Sequence, residues 1–159
     1  MTKCTGFAPI SRPDARVLIL GTLPSVKSLA EHQYYAKPQN AFWKIMGDIV
    51  GAGPDLPYKD RLEQLKENRI ALWDVCATAE REGSLDAAIR APQPNDFATF
   101  FKTHRDIERI CFNGKTAEKL FRHHVGIKMP HVTLPSTSPA HAGMGYRQKL
   151  IHWRKALRG

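Results

Sequence analysis

Apolar positions along the chain follow two periodicities. Four short runs, at 17–20 (Val17-Leu18-Ile19-Leu20), 70–73 (Ile70-Ala71-Leu72-Trp73), 107–112 and 131–134, are largely apolar and partly β-branched or aromatic. Strands covered by helices on both faces have this composition. Between the runs, apolar residues recur every three or four positions, which places them on one face of a helix. Phe42, Ile45, Met46 and Ile49 predict a helix over 41–50, and Leu62 and Leu65 one over 57–68. Ala117, Leu120 and Phe121 predict another over 116–124, and Tyr146, Leu150, Trp153 and Leu157 a closing helix over 145–157. Strands alternating with helices predict a single α/β domain over 1–159, with α/β/α layers around a central, mostly parallel four-stranded sheet. Gly51-Ala52-Gly53-Pro54 and Arg90-Ala91-Pro92-Gln93-Pro94 read as loops.

Composition adds a partner class. The chain has 159 residues, 42% hydrophobic and 25% charged, an ordinary balance for a globular domain with a real core. Its formal net charge of +9 suits nucleic acid, an anionic membrane surface or an acidic substrate, and also fits a generic basic surface. No apolar run approaches the roughly 18 residues that span a bilayer. The first seven residues lack the apolar core of a signal peptide, so the expectation is a cytoplasmic protein with no membrane partner. Cys4, Cys76 and Cys111 are odd in number and far apart, which indicates neither a disulfide framework nor a cysteine metal cluster. Cys76 and Cys111 read as small core residues. His123 and His124 are adjacent and diverge on a helix, and no zincin or zinc-deaminase motif is present, so no metal is expected.

Two Pro-punctuated loops carry the candidate chemistry. Gly21-Thr22-Leu23-Pro24-Ser25 leaves the first strand and Pro135-Ser136-Thr137-Ser138-Pro139-Ala140-His141 leaves the last. Ligands of open α/β sheets bind at such strand ends. Tyr34, Tyr35, Phe42 and Trp43 flank Asn40, and a ring beside an amide can stack on a base and read its edge; the same aromatics also suit a core. The hydroxyls of Ser136, Thr137 and Ser138 can hold a phosphate or simply shape a turn. A serine nucleophile is not supported, because there is no nucleophile elbow. His141 is a candidate phosphate or base contact or a solvated loop histidine. Asn113 either faces a ligand or bonds its own turn. Gly114-Lys115-Thr116 resembles the tail of a phosphate-binding loop, but Arg109 stands where that motif needs glycine. Arg147, Lys149, His152, Arg154, Lys155 and Arg158 make the last helix basic, as a phosphate-tracking surface or a solvated face.

Together these residues resemble the uracil-DNA glycosylase superfamily. Gly21-Thr22-Leu23-Pro24-Ser25 and Asn40-Ala41-Phe42-Trp43-Lys44 are similar to the Gly-Ile-Asn-Pro-Gly loop and Asn-x-Phe-Trp-Lys segment of mismatch-specific uracil- and thymine-DNA glycosylases. The second loop resembles the superfamily's DNA-intercalation loop. Gln33-Tyr34-Tyr35-Ala36, Pro38-Gln39-Asn40, Leu72-Trp73-Asp74-Val75, Gly83-Ser84-Leu85-Asp86 and Phe112-Asn113-Gly114-Lys115 look most like the hypoxanthine-DNA (DNA-deoxyinosine) glycosylase branch. The resemblance covers residues 17–153. It implies a monomeric, cofactor-free, monofunctional glycosylase that flips a deaminated base, hypoxanthine or uracil, out of DNA and hydrolyses its glycosidic bond in base-excision repair.

Many members carry a water-activating Asp or Asn where this chain has Leu23, which cannot take a proton, and Leu134 replaces a histidine found in some. The resemblance therefore moves catalysis to Asn40. It assigns Phe42 as the stacking ring and Asp74 as base reader, with Asp74 as a helix or turn cap the plainer alternative. Gly21, Thr22, Leu23, Pro24, Tyr35 and Asn113 complete the expected base pocket. Ser25, Ser136, Thr137, Ser138, His141 and Arg147 are expected on DNA, with Thr137, Ser138 and Met144 near the vacated stack. A catalytically silent nucleic-acid-binding domain of the same fold and a nucleoside or nucleotide hydrolase are the competing readings.

Overall fold

A computed structural model of the chain describes residues 2–158. Its centre is a parallel sheet of β2 (Val17–Gly21), β3 (Ile70–Asp74), β6 (Arg109–Asn113) and β7 (His131–Leu134), in the order β3-β2-β6-β7. Side chains alternate across a strand, so β2, β3 and β6 each supply two cores, while β7 adds Val132 and Leu134 to one of them. Val17, Ile19, Ile70, Leu72 and Cys111 face one side. There they pack against α2 (Phe42–Val50), α3 (Tyr58–Glu67) and α6 (Tyr146–Arg158). Leu18, Leu20, Ala71, Trp73, Ile110 and Phe112 face the other side, against α4 (Phe97–Thr103) and α5 (Lys115–His124). The three-layer expectation is met, and Cys76 and Cys111 are buried, unbridged core residues.

A second sheet, absent from the sequence reading, packs beside the first loop. β4 (Cys76–Glu80) lies between β1 (Lys3–Thr5) and β5 (Arg90–Pro94), all antiparallel. Residues 90–94 were expected as a loop; they form an irregular edge strand with shifted register, where proline is tolerated. This sheet carries a small apolar cluster of Cys4, Cys76, Ala79 and Leu23. Two helices were also not anticipated. α1 (Val26–Glu31) is capped by Ser25, whose Oγ accepts from Ser28 N, and α4 is capped by Asp96, which accepts from Thr99 N.

Candidate active site

A cavity of about 620 Å³ opens at the C-terminal ends of the parallel strands. It falls within the size of small-ligand sites, roughly 300–1,000 Å³. Gly21 to Ser25 form one wall, Asp74 ends β3 beneath it, Asn113 ends β6, and residues 136–141 close another side. Tyr34, Tyr35, Lys37 and Asn40 come from the connection into α2.

Gly21 is needed for space. A Cβ there would lie 2.6 Å from Asp74 Oδ1 and 2.7 Å from Tyr35 Oη, so both polar atoms converge on its bare Cα. Gly21→Ala is expected to displace one of them, lowering base release at least about tenfold at a stability cost of about 1–3 kcal/mol; wild-type kinetics would show that the crowding is relieved elsewhere. Leu23 is 7% exposed and packs into the cluster beside β4, so its side chain serves the fold of the loop.

The turn before α2 presents the aromatic wall. Tyr35 adopts φ 54°, a strained value for a bulky residue. Tyr34 anchors the turn: its N–H donates to Tyr58 Oη (2.9 Å), its hydroxyl to Ala8 O (2.9 Å), and its carbonyl accepts from Trp43 Nε1 (2.8 Å). The resulting geometry corrects the expected stacking residue. Phe42 is fully buried, stacked behind Tyr35 at 4.2 Å between centroids and edge-on to Trp153, so of this stacked pair it is Tyr35 that lines the cavity. Asn40 lines the cavity as expected, and its Oδ1 accepts from Phe42 N (3.0 Å) at the first turn of α2. That bond fixes the amide plane and leaves Nδ2 and one Oδ1 lone pair for a ligand.

The second loop has a rigid base and an exposed tip. Asn113 Oδ1 accepts from Thr137 N (3.0 Å), while its Nδ2 donates to Thr137 Oγ1 (3.0 Å) and Tyr35 Oη (3.1 Å). Ala41 N donates to Thr137 O, and Trp153 Nε1 to Pro135 O, each at 3.0 Å. Asn113 therefore joins β6, the aromatic wall and the second loop, rather than bonding its own turn or holding its amide free for a ligand. Thr137 is 1% exposed and cannot serve as a wedge in this arrangement; Pro139 and Ala140 form the exposed tip.

Comparison with known proteins fits this arrangement. The profile described as Uracil DNA glycosylase superfamily matches residues 8–158. The chain belongs to this superfamily. It is 40% identical over 139 residues to a protein named hypoxanthine DNA glycosylase from Methanosarcina acetivorans, covering 85% of this chain and 86% of that one. It is also 40% identical over 114 residues to another of that name from Methanosarcina barkeri, covering 71% and 72%. The solution NMR structure of a candidate uracil DNA glycosylase from Methanosarcina acetivorans superposes with a TM-score of 0.82 at 35% identity, covering 99% and 98% of the two chains.

As a DNA glycosylase of this superfamily, the chain carries its expected site residues unevenly. Gly21, Thr22, Leu23, Pro24, Ser25, Tyr35, Asn40, Asp74, Asn113, Ser136, Thr137, Ser138 and His141 share the cavity; Phe42 and Arg147 do not line it. Ser25 Oγ is occupied by capping α1. Arg147 is exposed on α6. Much of the basic helix is structural: buried Lys149 holds His141 O at 2.8 Å, and Arg154 and Arg158 donate to the carbonyls of Asp48 and Ile49 near the end of α2. Sequence reasoning noted Asp86 within Gly83-Ser84-Leu85-Asp86 but gave it no place in the site; it lines the cavity and accepts from the Thr22 hydroxyl at 2.8 Å.

Asp74 is electrostatically unusual. It is 4% exposed and its Oδ2 has no hydrogen-bond partner among the described residues. Burial, reinforced by Asp86 and opposed by the buried Arg81, pushes its carboxyl up to about 7. A carboxyl with a raised folded-state pKa holds its proton in the folded chain at pH values where the unfolded chain has released it. Its contribution to stability therefore falls as pH rises from about 4 to 7. Asp74→Asn is expected to flatten this decline and to stabilise the fold at pH 8, by up to about 4 kcal/mol, with little change at pH 4. Urea unfolding at both pH values measures this; equal wild-type and variant slopes would show that Asp74 titrates normally.

Proposed function

We propose that this glycosylase releases hypoxanthine or uracil from DNA by hydrolysing the N-glycosidic bond, as a cytoplasmic monomer without a cofactor. The observation that carries the proposal is the convergence of the Tyr35 ring, the Asn40 amide and the Asp74 carboxyl on one strand-end cavity. The names of the Methanosarcina relatives support hypoxanthine as a substrate.

Extrusion of the target base costs a few kcal/mol, less for a mispaired base. The exposed tip of the second loop enters the vacated stack, and the Ser136 and Ser138 hydroxyls with Arg147 hold the backbone, the Thr137 hydroxyl being buried against Asn113. Tyr35 stacks on the flipped base. Asp74 in its protonated form is both donor and acceptor, which complements the adjacent N–H and C=O of a deaminated base edge. Asn40 orients the attacking water; a neutral amide positions that water without removing a full proton. Backbone N–H groups of the first loop stabilise charge developing on the leaving base.

This chemistry is hydrolytic, with no lysine assigned to a Schiff base. Treated deoxyinosine duplex is expected to break only after alkali, and borohydride is expected to trap no protein–DNA adduct. Strand cleavage without alkali together with a trapped adduct would replace the hydrolytic reading with a lyase.

A further inference from the structure

The segment following β4 brings a second carboxylate to the cavity. Asp86 begins the 3₁₀ turn Asp86–Ala88, and its Oδ1 accepts from the Thr22 hydroxyl at 2.8 Å, fastening that turn to the first loop. The next residue of the loop, Leu23, is packed and apolar, so the loop supplies no acid or base of its own. The two cavity carboxylates differ in depth: Asp74 is buried, whereas Asp86 belongs to an exposed turn, its carboxyl partly covered against the first loop, where burial raises its pKa above the ordinary carboxylate range. A flipped nucleotide enters base first and leaves its sugar towards the mouth. A carboxylate at the mouth opposes binding of a polyanion, against the net charge of +9 that favours it. The same charge favours the transition state, in which the sugar becomes cationic and the attacking water sheds a proton.

We propose that Asp86 is a catalytic carboxylate of this glycosylase, accepting the proton of the attacking water and stabilising the sugar cation. The proposal rests on the glycosylase reading above. The water oxygen bonds to C1′ as the bond from C1′ to the base nitrogen breaks, and that electron pair leaves with the base. One water proton passes to the Asp86 oxygen not held by Thr22, then to the departing base, which restores the carboxylate. The abasic sugar keeps the hydroxyl. Asn40 fixes the water's position and Asp86 takes its proton, so the amide need not act as a base.

Asp86→Asn separates this role from a structural one, because it keeps an acceptor for the Thr22 hydroxyl and removes the charge. On deoxyinosine duplex under single-turnover conditions, its rate is expected to fall at least about 100-fold. Its affinity for the same duplex is expected to stay equal or tighten, since a negative charge has left a DNA-facing rim. Asp86→Ser, shorter and also uncharged, carries the same expectation if Asp86→Asn does not fold. A rate within about threefold of wild type, or a loss of affinity that accounts for the lost rate, would overturn the assignment. An inactive wild type would overturn the glycosylase reading and this proposal with it; an active wild type with an equally active Asp86→Asn would overturn the role of Asp86 alone.

Discussion

Asn40→Ala is expected to lower single-turnover base release at least about 100-fold while leaving DNA affinity within about threefold of wild type. The magnitude follows from removing one preorganised polar group from a water-excluded site. Asn40 also has a structural duty, because its Oδ1 accepts the Phe42 N–H at the first turn of α2. Losing that bond costs about 1 kcal/mol, a fall of about 2–4 °C in Tm for a chain this long. Asn40→Ser separates the two effects. Serine retains a side-chain acceptor for a helix start but has no amide to orient water. The serine variant is therefore expected to melt close to wild type and to remain as inactive as the alanine variant. Activity in the serine variant approaching wild type would mean that capping, and not the amide, was the contribution of Asn40.

Asn113→Leu carries the largest expected stability loss. The change removes an amide that makes three hydrogen bonds in the interior, to Thr137 N, Thr137 Oγ1 and Tyr35 Oη. Leucine is close in volume, so the loss is mainly unsatisfied polar groups, at about 1 kcal/mol or more each. A total of about 3 kcal/mol lowers Tm by about 6–12 °C. Base release is expected to fall as well, since the same bonds hold the aromatic wall against the second loop. A Tm within about 2 °C of wild type would mean that Thr137 and Tyr35 find other partners.

Most of the parallel sheet was legible because β2, β3 and β6 are buried along nearly their whole length, whereas the edge strand β7 exposes His131 and Thr133. Val17 to Leu20 form an interior strand whose residues alternate between the two cores. The small sheet was not legible: its strands run from three to five residues, and β5 contains Pro92 and Pro94. Those prolines mark a loop unless the strand lies on an edge.

Within the site, Asp74 and Asn113 were marked by their position at strand ends, the usual place for ligand contacts. The choice between Tyr35 and Phe42 was not legible, because both rings flank Asn40 in sequence. The left-handed turn at Tyr35 and the burial of Phe42 as the first residue of α2 decide between them. Asn113 was read as a turn or ligand amide because its partners are 24 and 78 residues away. Asp86 sits in a segment without periodicity, and its link to Thr22 spans 64 residues. Its only signal was membership of the Gly83-Ser84-Leu85-Asp86 segment.

The chemistry assigned to this cavity is tested most directly by incubating the wild-type chain with a duplex holding one deoxyinosine and quantifying free base by chromatography. Hypoxanthine is expected to appear in a one-to-one ratio with alkali-labile abasic sites, with none from an undamaged duplex. Tight binding of the deoxyinosine duplex with no base released would contradict it and leave a silent binding domain of the same fold.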